Sequence, residues 1–194
     1  VEATGGRVDL LGYGLERTDG LQAEVERIQR DRRERGRAIV ECVEDRLGVD
    51  LDVEIREGLG RPHVARAIED HPDTDLDYDE AFAELIGNDG PCFVGRDVPS
   101  FERGRSLLAE ACEIVGLAHP FRYDDPEWAL SLTADLDAVE RYYPYNRRVE
   151  ESLVDDAVRE HDLLVTGGSD AHGRTLGAAG LSAAEYDSIA GRLD

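Results

Sequence analysis

The sequence contains no lysine and no methionine, so all 22 of its basic residues are arginine. They stand against 44 acidic residues, which leaves a net charge of -22 over 194 residues. This balance argues against broad binding of nucleic acid, which requires a basic surface. The acidic residues are spread along the chain, so we expect an acidic surface and not a disordered acidic tail. Such a surface is typical of organisms with molar internal salt, where the Debye length falls to about 3 Å. A GC-rich genome is the alternative explanation.

Cysteine is also scarce, with only Cys42, Cys92 and Cys112 in the chain. An odd number without CxxC spacing predicts neither a disulfide framework nor a zinc knuckle. Cys42 and Cys112 fall on the apolar faces of predicted helices, where we expect them to be core residues. These features favour a reducing, cytoplasmic compartment. No apolar run approaches 18 residues, so nothing suggests insertion into a membrane.

Residues 20–98 contain no convincing strand and predict a helical insertion. Apolar residues follow the 3.6-residue period over 21–47, and Gly48 is typical of the position just after a helix. A second helix is expected to begin around Pro62, because proline is common in the first turn. A third helix is expected over Tyr78–Ile86.

An arginine-rich segment lies in the middle of the first of these helices, where Arg32, Arg33 and Arg35 stand close together. Its simplest interpretation is a solvated face whose arginines pair with acidic residues four positions away. A surface that contacts an anion is the alternative interpretation of the same three residues.

The flanking parts, residues 1–19 and 99–194, alternate predicted helices with short apolar strands. The clearest strands are expected at 114–118, 137–140 and 163–166. Helices that alternate with such strands predict parallel βα units, in an open sheet or in a barrel. We therefore expect an α/β fold that carries a helical insertion.

Polar side chains stand where each of these three strands ends. His119 follows the first strand, Glu140 closes the second, and Asp170 and His172 follow the third across two glycines. Because the carboxyl ends of parallel strands form the active-site face of α/β barrels, we expect these residues on one face. Aspartate and histidine are common ligands of divalent metal ions, so Asp170 and His172 are candidate ligands.

Two of these positions have structural interpretations as well. His119 is equally well explained as a structural residue ahead of a trans proline. For Glu140, an ion pair with Arg141 or Arg147 is the favoured interpretation. The sequence pattern alone leaves both alternatives open.

Three motifs occur in the order found in the PHP (polymerase and histidinol phosphatase) superfamily. Ala-His-Pro at 118–120 and Gly-Ser-Asp-Ala-His-Gly at 168–173 resemble its last two metal-binding motifs. Gly-Arg-Pro-His-Val-Ala-Arg-Ala at 60–67 resembles the signature of the helical insertion in one subgroup. That subgroup comprises phosphoesterases that act on nucleoside 3′,5′-bisphosphates and short oligonucleotides. The resemblance extends over essentially the whole chain.

The resemblance implies both a fold and a reaction. The fold would be part of a distorted (β/α)7 barrel, formed by residues 1–19 and 99–194, with residues 20–98 as the insertion that covers the active-site face. Two or three divalent ions, Mn, Zn or Fe, would lie at the carboxyl ends of the strands. They would activate a water molecule that hydrolyses a phosphate ester of a nucleotide or a short oligonucleotide, and duplex DNA would not be a substrate.

Five residues match ligand positions of the family: Glu2, Asp9, His119, Asp170 and His172. Glu2 stands in a segment that resembles Gly-Val-Glu, and Asp9 stands where the family has the histidine of Val-His-x-Leu-Gly-Tyr. A carboxylate at that position favours Mn over Zn, because it is a harder and anionic ligand. A weakened metal site is the alternative interpretation of Asp9.

Arg61 and His63 belong to the insertion signature, and the resemblance implies that they contact the substrate. Arginine neutralises phosphate through paired, charge-assisted hydrogen bonds. Arg174, just past Gly173, is a further candidate for the same role. A helix start packed by an ordered arginine is the structural alternative for Arg61 and His63.

Part of the family pattern is absent from this chain. The family's His-x-His pair, a following Asp and an Asp-His pair belong upstream of Glu2. Together with the absence of methionine, this predicts that the chain is the C-terminal two-thirds of a longer protein and is inactive alone. Two other functions stay open: a non-catalytic, degenerate PHP module with a role in regulation or assembly, and an amidohydrolase-type enzyme that cleaves C–N bonds.

Overall fold

The computed structural model describes residues 1–171, 174 and 176–193, and the chain forms two compact units. The first unit consists of residues 1–21 and 99–194, and the second of residues 22–98. Each unit has a hydrophobic core of its own.

The strands of the described residues are β1 (Glu2–Ala3), β2 (Gly6–Arg7), β3 (Leu10–Tyr13), β4 (Ile114–Leu117), β5 (Ala138–Tyr142) and β6 (Leu164–Gly167). The α-helices are α1 (Asp19–Leu47), α2 (Arg61–Glu69), α3 (Tyr78–Ala81), α4 (Phe101–Ala111), α5 (Pro126–Ser131), α6 (Glu151–His161) and α7 (Ala183–Ala190). A π-helical turn follows α3 at Phe82–Ile86, and 3-10 turns lie at Pro120–Arg122 and Leu132–Asp135. None of the described helices is long and apolar enough to cross a membrane.

A four-stranded sheet in the order β3-β4-β5-β6 organises the first unit. β4, β5 and β6 run parallel, whereas β3 is antiparallel to β4, with Leu10 opposite Leu117. α5 and α6 lie between the parallel strands in the sequence, as parallel pairing requires, and the predicted α/β class is confirmed. The described strands form an open sheet, so the barrel stays a prediction.

β4 is buried on both faces, as its continuous apolar sequence requires. Val115 and Leu117 face one core together with Val139 of β5 and Val154 of α6. Ile114 points to the other face, where a smaller cluster covers it. Fully burying such a side chain contributes about 1.5–3 kcal/mol. This burial fixes the register that brings the ends of β4 and β5 to one edge of the sheet.

β1 and β2 form a short hairpin that packs on the indole ring of Trp128. The Trp128 Nε1–H donates to the Thr4 carbonyl at 3.0 Å. Gly5 has a φ of +116°, and a Cβ atom there would lie 2.7 Å from Trp128 Nε1, so the turn requires glycine. The chain leaves this hairpin at Arg7 and enters β3 at Leu10.

The second unit, all of whose residues are described, is helical and contains no strand. The apolar face of α1 supplies Ile39 and Val43 to its core, and α2 supplies Ile68. Gly48 ends α1 with a φ of +69° and donates its N–H to the Glu44 carbonyl at 2.8 Å. This is the αL arrangement that the glycine predicts at the end of a helix.

A disulfide joins Cys42 of α1 to Cys92, and the two Cα atoms are 5.6 Å apart. The prediction of no disulfide, with Cys42 as a simple core residue, was therefore wrong. The two cysteines are 50 residues apart in the sequence, and only the packing of the second unit brings them together. Cys112 is a free, half-buried thiol in the first unit. Because a disulfide is typical of oxidising compartments, the cysteines do not support the predicted reducing compartment.

Candidate metal centre

His119 directly follows β4 and turns the chain out of the sheet. Its backbone is left-handed, with a φ of 29° and a ψ of 61°, which is unfavourable for a residue with a side chain. The Glu140 carboxylate holds this turn, because its Oε2 accepts the His119 N–H at 2.8 Å. The imidazole is thereby fixed at the carboxyl end of β4, with 13% of the side chain exposed.

Glu140 of β5 is a buried carboxylate, 6% exposed. Burial raises its pKa, the hydrogen bond from His119 acts in the opposite direction, and the charge of Asp170 raises the pKa further. Gly168 makes room for this carboxylate, since a Cβ atom there would lie 3.1 Å from Glu140 Oε1. Glu140 therefore connects the turn at His119 with the segment that follows β6.

The predicted ion pair of Glu140 with Arg141 or Arg147 is wrong. Arg141 instead contacts two carboxylates of α6, at 3.3 and 3.0 Å. Arg147 donates to the backbone carbonyl of Phe121. The reason lies in the strand geometry, because successive residues such as Glu140 and Arg141 point to opposite faces of the sheet.

Asp9 lies beside His119 because β3 pairs with β4. The Ala118 N–H donates to the Asp9 carbonyl at 3.0 Å, and the Asp9 N–H donates to the Tyr123 hydroxyl at 2.8 Å. That hydroxyl donates in turn to the Ala118 carbonyl at 3.2 Å, and burial raises the pKa of Tyr123. The backbone of Asp9 is thus held in place, whereas its side chain is 73% exposed.

The side chains of His119 and Asp9 approach each other at the site, with 3.5 Å between His119 Nε2 and Asp9 Oδ2. This distance is longer than a good hydrogen bond, about 2.7–3.2 Å. It is close to the separation of two atoms that share one divalent ion, each about 2.0–2.2 Å from it. His119 Nδ1 is buried without a hydrogen-bond partner among the described residues. The spacing of His119 Nε2 and Asp9 Oδ2 thus suits two ligands of one metal ion.

Asp170 follows β6 and also has a left-handed backbone, with a φ of 43°. Its Oδ2 accepts a hydrogen bond from the Tyr143 hydroxyl at 2.9 Å and lies 3.4 Å from Arg122 Nη1. Arg122 also donates to the Tyr143 oxygen at 2.8 Å, and this hydrogen bond raises the pKa of Arg122. The Tyr143 ring packs against the His119 imidazole, with 5.4 Å between the ring centres. Tyr143 thus joins Asp170 to His119.

Arg122 and Tyr143 were not found by the sequence analysis. Both lie in loops that follow strands of the parallel sheet: Arg122 three residues after His119, and Tyr143 in the Tyr-Tyr-Pro-Tyr run at the end of β5. Counting every polar residue of these loops, and not only the first one, would have found them. Their contacts with Asp170 depend on the path of two loops, which the sequence does not specify.

Of the two remaining predicted ligands, one lies apart from this group and the other falls outside the described residues. Glu2 lies in β1 with its side chain 57% exposed, and its Oε2 is 3.4 Å from Arg7 Nη2. His172 lies outside the described residues. Within the part of the chain that the structure describes, no group of three or more His, Cys, Asp or Glu side chains could hold a metal ion. The structure thus brings His119 to Asp9, and it links Asp170 to this pair through Tyr143.

Arg61, predicted to contact substrate, is bound within the second unit. Its Nη1 donates to the Ile86 carbonyl and to the Asn88 side chain, both at 3.0 Å. Its guanidinium lies over the rings of Phe82 and Phe93, 5.8 and 5.5 Å from their centres. These contacts match the structural alternative, an ordered arginine at the start of a helix, and the substrate role stays a prediction.

His63 also has a structural contact, since its Nδ1 accepts the Gly60 N–H at 3.2 Å at the start of α2. Arg174 lies on the first unit and is exposed. The substrate contacts of His63 and Arg174 therefore stay predictions as well.

A cleft of about 370 Å³ opens beside Arg122 and Tyr143. We call it the aromatic cleft, and its lining residues are Phe121, Arg122, Tyr143, Pro144, Tyr145, Asn146 and Arg147. The ring centres of Tyr143 and Tyr145 are 4.7 Å apart, and those of Phe121 and Tyr145 are 5.4 Å apart. Aromatic faces next to two arginines suit a planar group that carries negative charge.

Solved structures with a similar fold include two hydrolases. A proposed metal-dependent phosphoesterase from Bifidobacterium adolescentis is 23% identical, with a TM-score of 0.68, and the match covers 94% of this chain and 70% of that protein. An amidohydrolase from Chromobacterium violaceum, solved with bound sulfate and no metal, is 22% identical, with a TM-score of 0.69. The match covers 95% of this chain and 72% of that protein. No protein-family model and no curated protein matches the sequence. The similarities show a shared fold and do not separate the two chemistries.

Proposed function

We propose that the first unit is the catalytic part of a metal-dependent phosphoesterase that hydrolyses phosphate esters of nucleotides or short oligonucleotides. The observation that carries the proposal is the grouping of His119 and Asp9 with Asp170 and Arg122 at the carboxyl edge of a parallel sheet. The fold similar to that of the proposed phosphoesterase supports it. The PHP resemblance supplies the substrate class.

His119 and Asp9 would hold one divalent ion, and Asp170 with His172 would complete the ligand set. Bound ions of this kind polarise a phosphate oxygen and acidify a water molecule. The carboxylates of Asp9 and Asp170 favour a hard ion, so Mn is the first candidate among Mn, Zn and Fe.

Arg122 would bind the substrate, and Tyr143 would orient Asp170. The Arg122 side chain is 54% exposed, so its guanidinium can pair with phosphate oxygens while it stays near Asp170. The Tyr143 hydroxyl holds the Asp170 carboxylate in one orientation. Glu140 fixes the turn at His119, and this keeps the imidazole at the strand end.

The aromatic cleft supports a nucleotide over a simple phosphomonoester. A base placed there would stack on Tyr143 or Tyr145, and base stacking on an aromatic side chain contributes about 1–3 kcal/mol. Arg147 lines the same cleft and can contact a further phosphate. The sulfate bound to the Chromobacterium violaceum amidohydrolase is a tetrahedral anion of the same shape as phosphate.

Phosphate release by the full-length protein, loaded with Mn²⁺ in high salt, tests the proposal. We expect faster release from nucleoside 3′,5′-bisphosphates than from p-nitrophenyl phosphate. Asp170→Asn should lower kcat/KM by more than about 100-fold, because even the outer contacts of metal ligands are typically worth 10–100-fold. The same variant should bind less metal. Asp187→Asn, at an exposed position of α7, is the matched control and should change neither quantity. Absence of phosphate release, together with unchanged metal content in Asp170→Asn, would refute the proposal.

Amide hydrolysis is the second candidate, favoured by the similarity to the amidohydrolase. It predicts that the metal-loaded protein cleaves N-acyl amino acids or related amides and leaves phosphate esters intact. A panel that contains both substrate classes decides between the two reactions. A protein that binds metal and cleaves neither class would support the non-catalytic module that Asp9, in place of histidine, leaves open.

A further inference from the structure

The Cys42–Cys92 disulfide joins two unlike parts of the second unit. Cys42 belongs to α1, whereas Cys92 belongs to residues 87–98, a stretch that the structure describes in full and that contains neither helix nor strand. We call this stretch the connecting segment, because the first unit resumes directly after it, at Pro99. The disulfide therefore attaches an irregular part of the chain to a regular helix.

The polar contacts between the connecting segment and α1 are exposed. Arg27 forms an ion pair with Asp97, whose side chain is 71% exposed, and the Asp97 N–H donates to Asp31 Oδ2 at 3.4 Å. An exposed ion pair stabilises a protein little, and salt screens it further. The covalent bond through Cys42 is thus the strong attachment of the connecting segment to this helix.

The connecting segment also holds the guanidinium of Arg61 at the start of α2. Arg61 Nη1 donates to Asn88 Oδ1 at 3.0 Å, and the guanidinium lies 5.5 Å from the ring centre of Phe93. Phe93 is 43% exposed, whereas the neighbouring Cys92 is 2% exposed and belongs to the core of the second unit. Cys92 is therefore the residue that anchors this part of the segment, and its release would loosen both contacts.

The two sulfur atoms of the disulfide differ in accessibility. Cys42 is half-buried, and its Sγ lies 3.8 Å from the carbonyl oxygen of Pro91, an exposed residue. Cys92 is buried. Thiol–disulfide exchange requires access of a thiolate to one of the two sulfur atoms, and accessible disulfides are the labile ones. An incoming thiolate therefore reaches Cys42 first, with Cys92 as the leaving group.

We propose that the Cys42–Cys92 disulfide is a redox switch that a dithiol reductant opens at Cys42, which releases the connecting segment from α1. The first thiolate of the reductant bonds to Cys42 Sγ, the Cys42–Cys92 bond breaks, and Cys92 leaves as a thiolate and takes up a proton. The second thiolate of the reductant then displaces Cys42, which also takes up a proton. The protein gains two electrons and two protons, and the reductant becomes a disulfide.

The arrangement selects a dithiol over a monothiol. After attack by a monothiol, the Cys92 sulfur stays close to the mixed disulfide, because the Cys92 N–H donates to the Leu85 carbonyl at 2.9 Å. Cys92 then closes the disulfide again as an intramolecular reaction with a high effective concentration. A dithiol competes with this closure, since its own second thiol is equally close to the mixed disulfide.

Hydrogen exchange of the full-length protein, measured with and without excess dithiothreitol, tests the switch. The amides of Cys92 and Asp97 are hydrogen-bonded in the structure and should exchange at least about 30-fold faster after reduction. This factor is the lower end of the usual stabilisation by a disulfide. Reoxidation should restore slow exchange, and β4 to β6 should stay protected throughout. Cys112→Ser, which keeps the disulfide, is the control and should respond like the wild type.

Three results of this experiment would overturn the proposal. One is a disulfide that stays closed in excess dithiothreitol, which would make it a permanent structural cross-link. Another is equal acceleration in the connecting segment and along the whole of α1 and α2, which would show unfolding of the second unit and not release of the segment. The third is fast exchange that persists after reoxidation. None of these measurements requires a metal ion or a substrate, so the switch does not rest on the proposed function.

Mass spectrometry after brief treatment with 2-mercaptoethanol and acid quenching tests the route of attack. The mixed disulfide should be found on Cys42, with Cys92 as a free thiol. At equal thiol concentration, 2-mercaptoethanol should open at least about tenfold less of the disulfide than dithiothreitol, because Cys92 closes it again. An adduct on Cys92, or equal opening by the two reagents, would contradict attack at Cys42.

Discussion

The two units of the molecule treat their charged side chains differently. In the first unit, charged groups at the strand ends satisfy one another, since Tyr143 connects the guanidinium of Arg122 to the carboxylate of Asp170. In the second unit, Arg35 is buried with no such partner among the described residues. The first arrangement pairs its charges through a shared hydroxyl, whereas the second leaves the Nε of Arg35 buried without an acceptor among the described residues.

The difference follows from the geometry of strands and helices. Parallel strands end at one edge of a sheet, so residues that are distant in the sequence meet there and can pair. A helical side chain projects where the 3.6-residue period places it, and Arg35 shares the buried side of α1 with Ile39. Its charge must then be met by groups outside the helix. We therefore expect added metal ions to act on the first unit.

The largest expected effect separates the units by activity. His119→Ala should lower kcat/KM with Mn²⁺ by more than about 100-fold, because it removes a proposed metal ligand, and outer-shell contacts alone are worth 10–100-fold. His71→Ala in the second unit is the matched control, since the His71 Nδ1 only accepts the Asp73 N–H. The kcat/KM of His71→Ala should stay within about twofold of the wild-type value, which is a far smaller change in activation free energy than a tenfold loss. Equal losses in the two variants would contradict the assignment of catalysis to the first unit.

Loss of the disulfide should affect the second unit selectively. Replacing Cys42 and Cys92 by serine removes a cross-link between residues 50 apart, and such a loss costs about 2–4 kcal/mol. Hydrogen exchange should therefore accelerate in α1 and α2 while β4 to β6 stay protected. Cys112→Ser, outside the disulfide, is the control and should leave the second unit unchanged. Equal acceleration in both units would show that they unfold together.

Dilution of salt should lower the stability of both units, since the acidic residues are spread along the whole chain. With a charge of -22, repulsion is screened in molar salt and grows as the Debye length increases from about 3 to about 10 Å. The Tm should be several degrees lower in 0.1 M KCl than in 2 M KCl. Each kcal/mol of lost stability lowers the Tm by about 2–4 °C. A sharp melt at the same temperature in both buffers would contradict the halophile hypothesis.

The sheet and the positions of its strand ends could be predicted from the sequence. β4, β5 and β6 are short apolar runs with glycine or polar residues at their ends, and such runs predict buried parallel strands. His119 could be placed at a strand end for the same reason. The partners of Glu140 and Asp170 could not be predicted, because they depend on the three-dimensional path of the loops after β4 and β5.

Local irregularities were harder to predict than the elements themselves. The predicted helix Tyr78–Ile86 begins as α3 and widens into a π-turn, where the Gly87 N–H donates to the Phe82 carbonyl at 2.8 Å. A hydrophobic pattern with a period of 3.6 residues does not distinguish an α-helix from a π-helical turn. α7 was missed although Ser182 and Glu185 form a capping box at its start. Its short apolar pattern gave no periodic signal, so the cap was the only indication available.

The smallest expected effect tests how far the groups of the first unit depend on one another. Tyr143→Phe removes the hydroxyl that binds Asp170 and keeps the ring that packs on His119. Metal affinity and kcat should each fall about tenfold, the low end for an outer contact of a metal ligand, because Arg122 still lies 3.4 Å from Asp170. KM for a nucleotide should change little, since phenylalanine keeps the stacking surface of the aromatic cleft. Tyr186→Phe, at an exposed position of α7, is the control. A higher KM with unchanged metal affinity would instead assign the Tyr143 hydroxyl to the substrate.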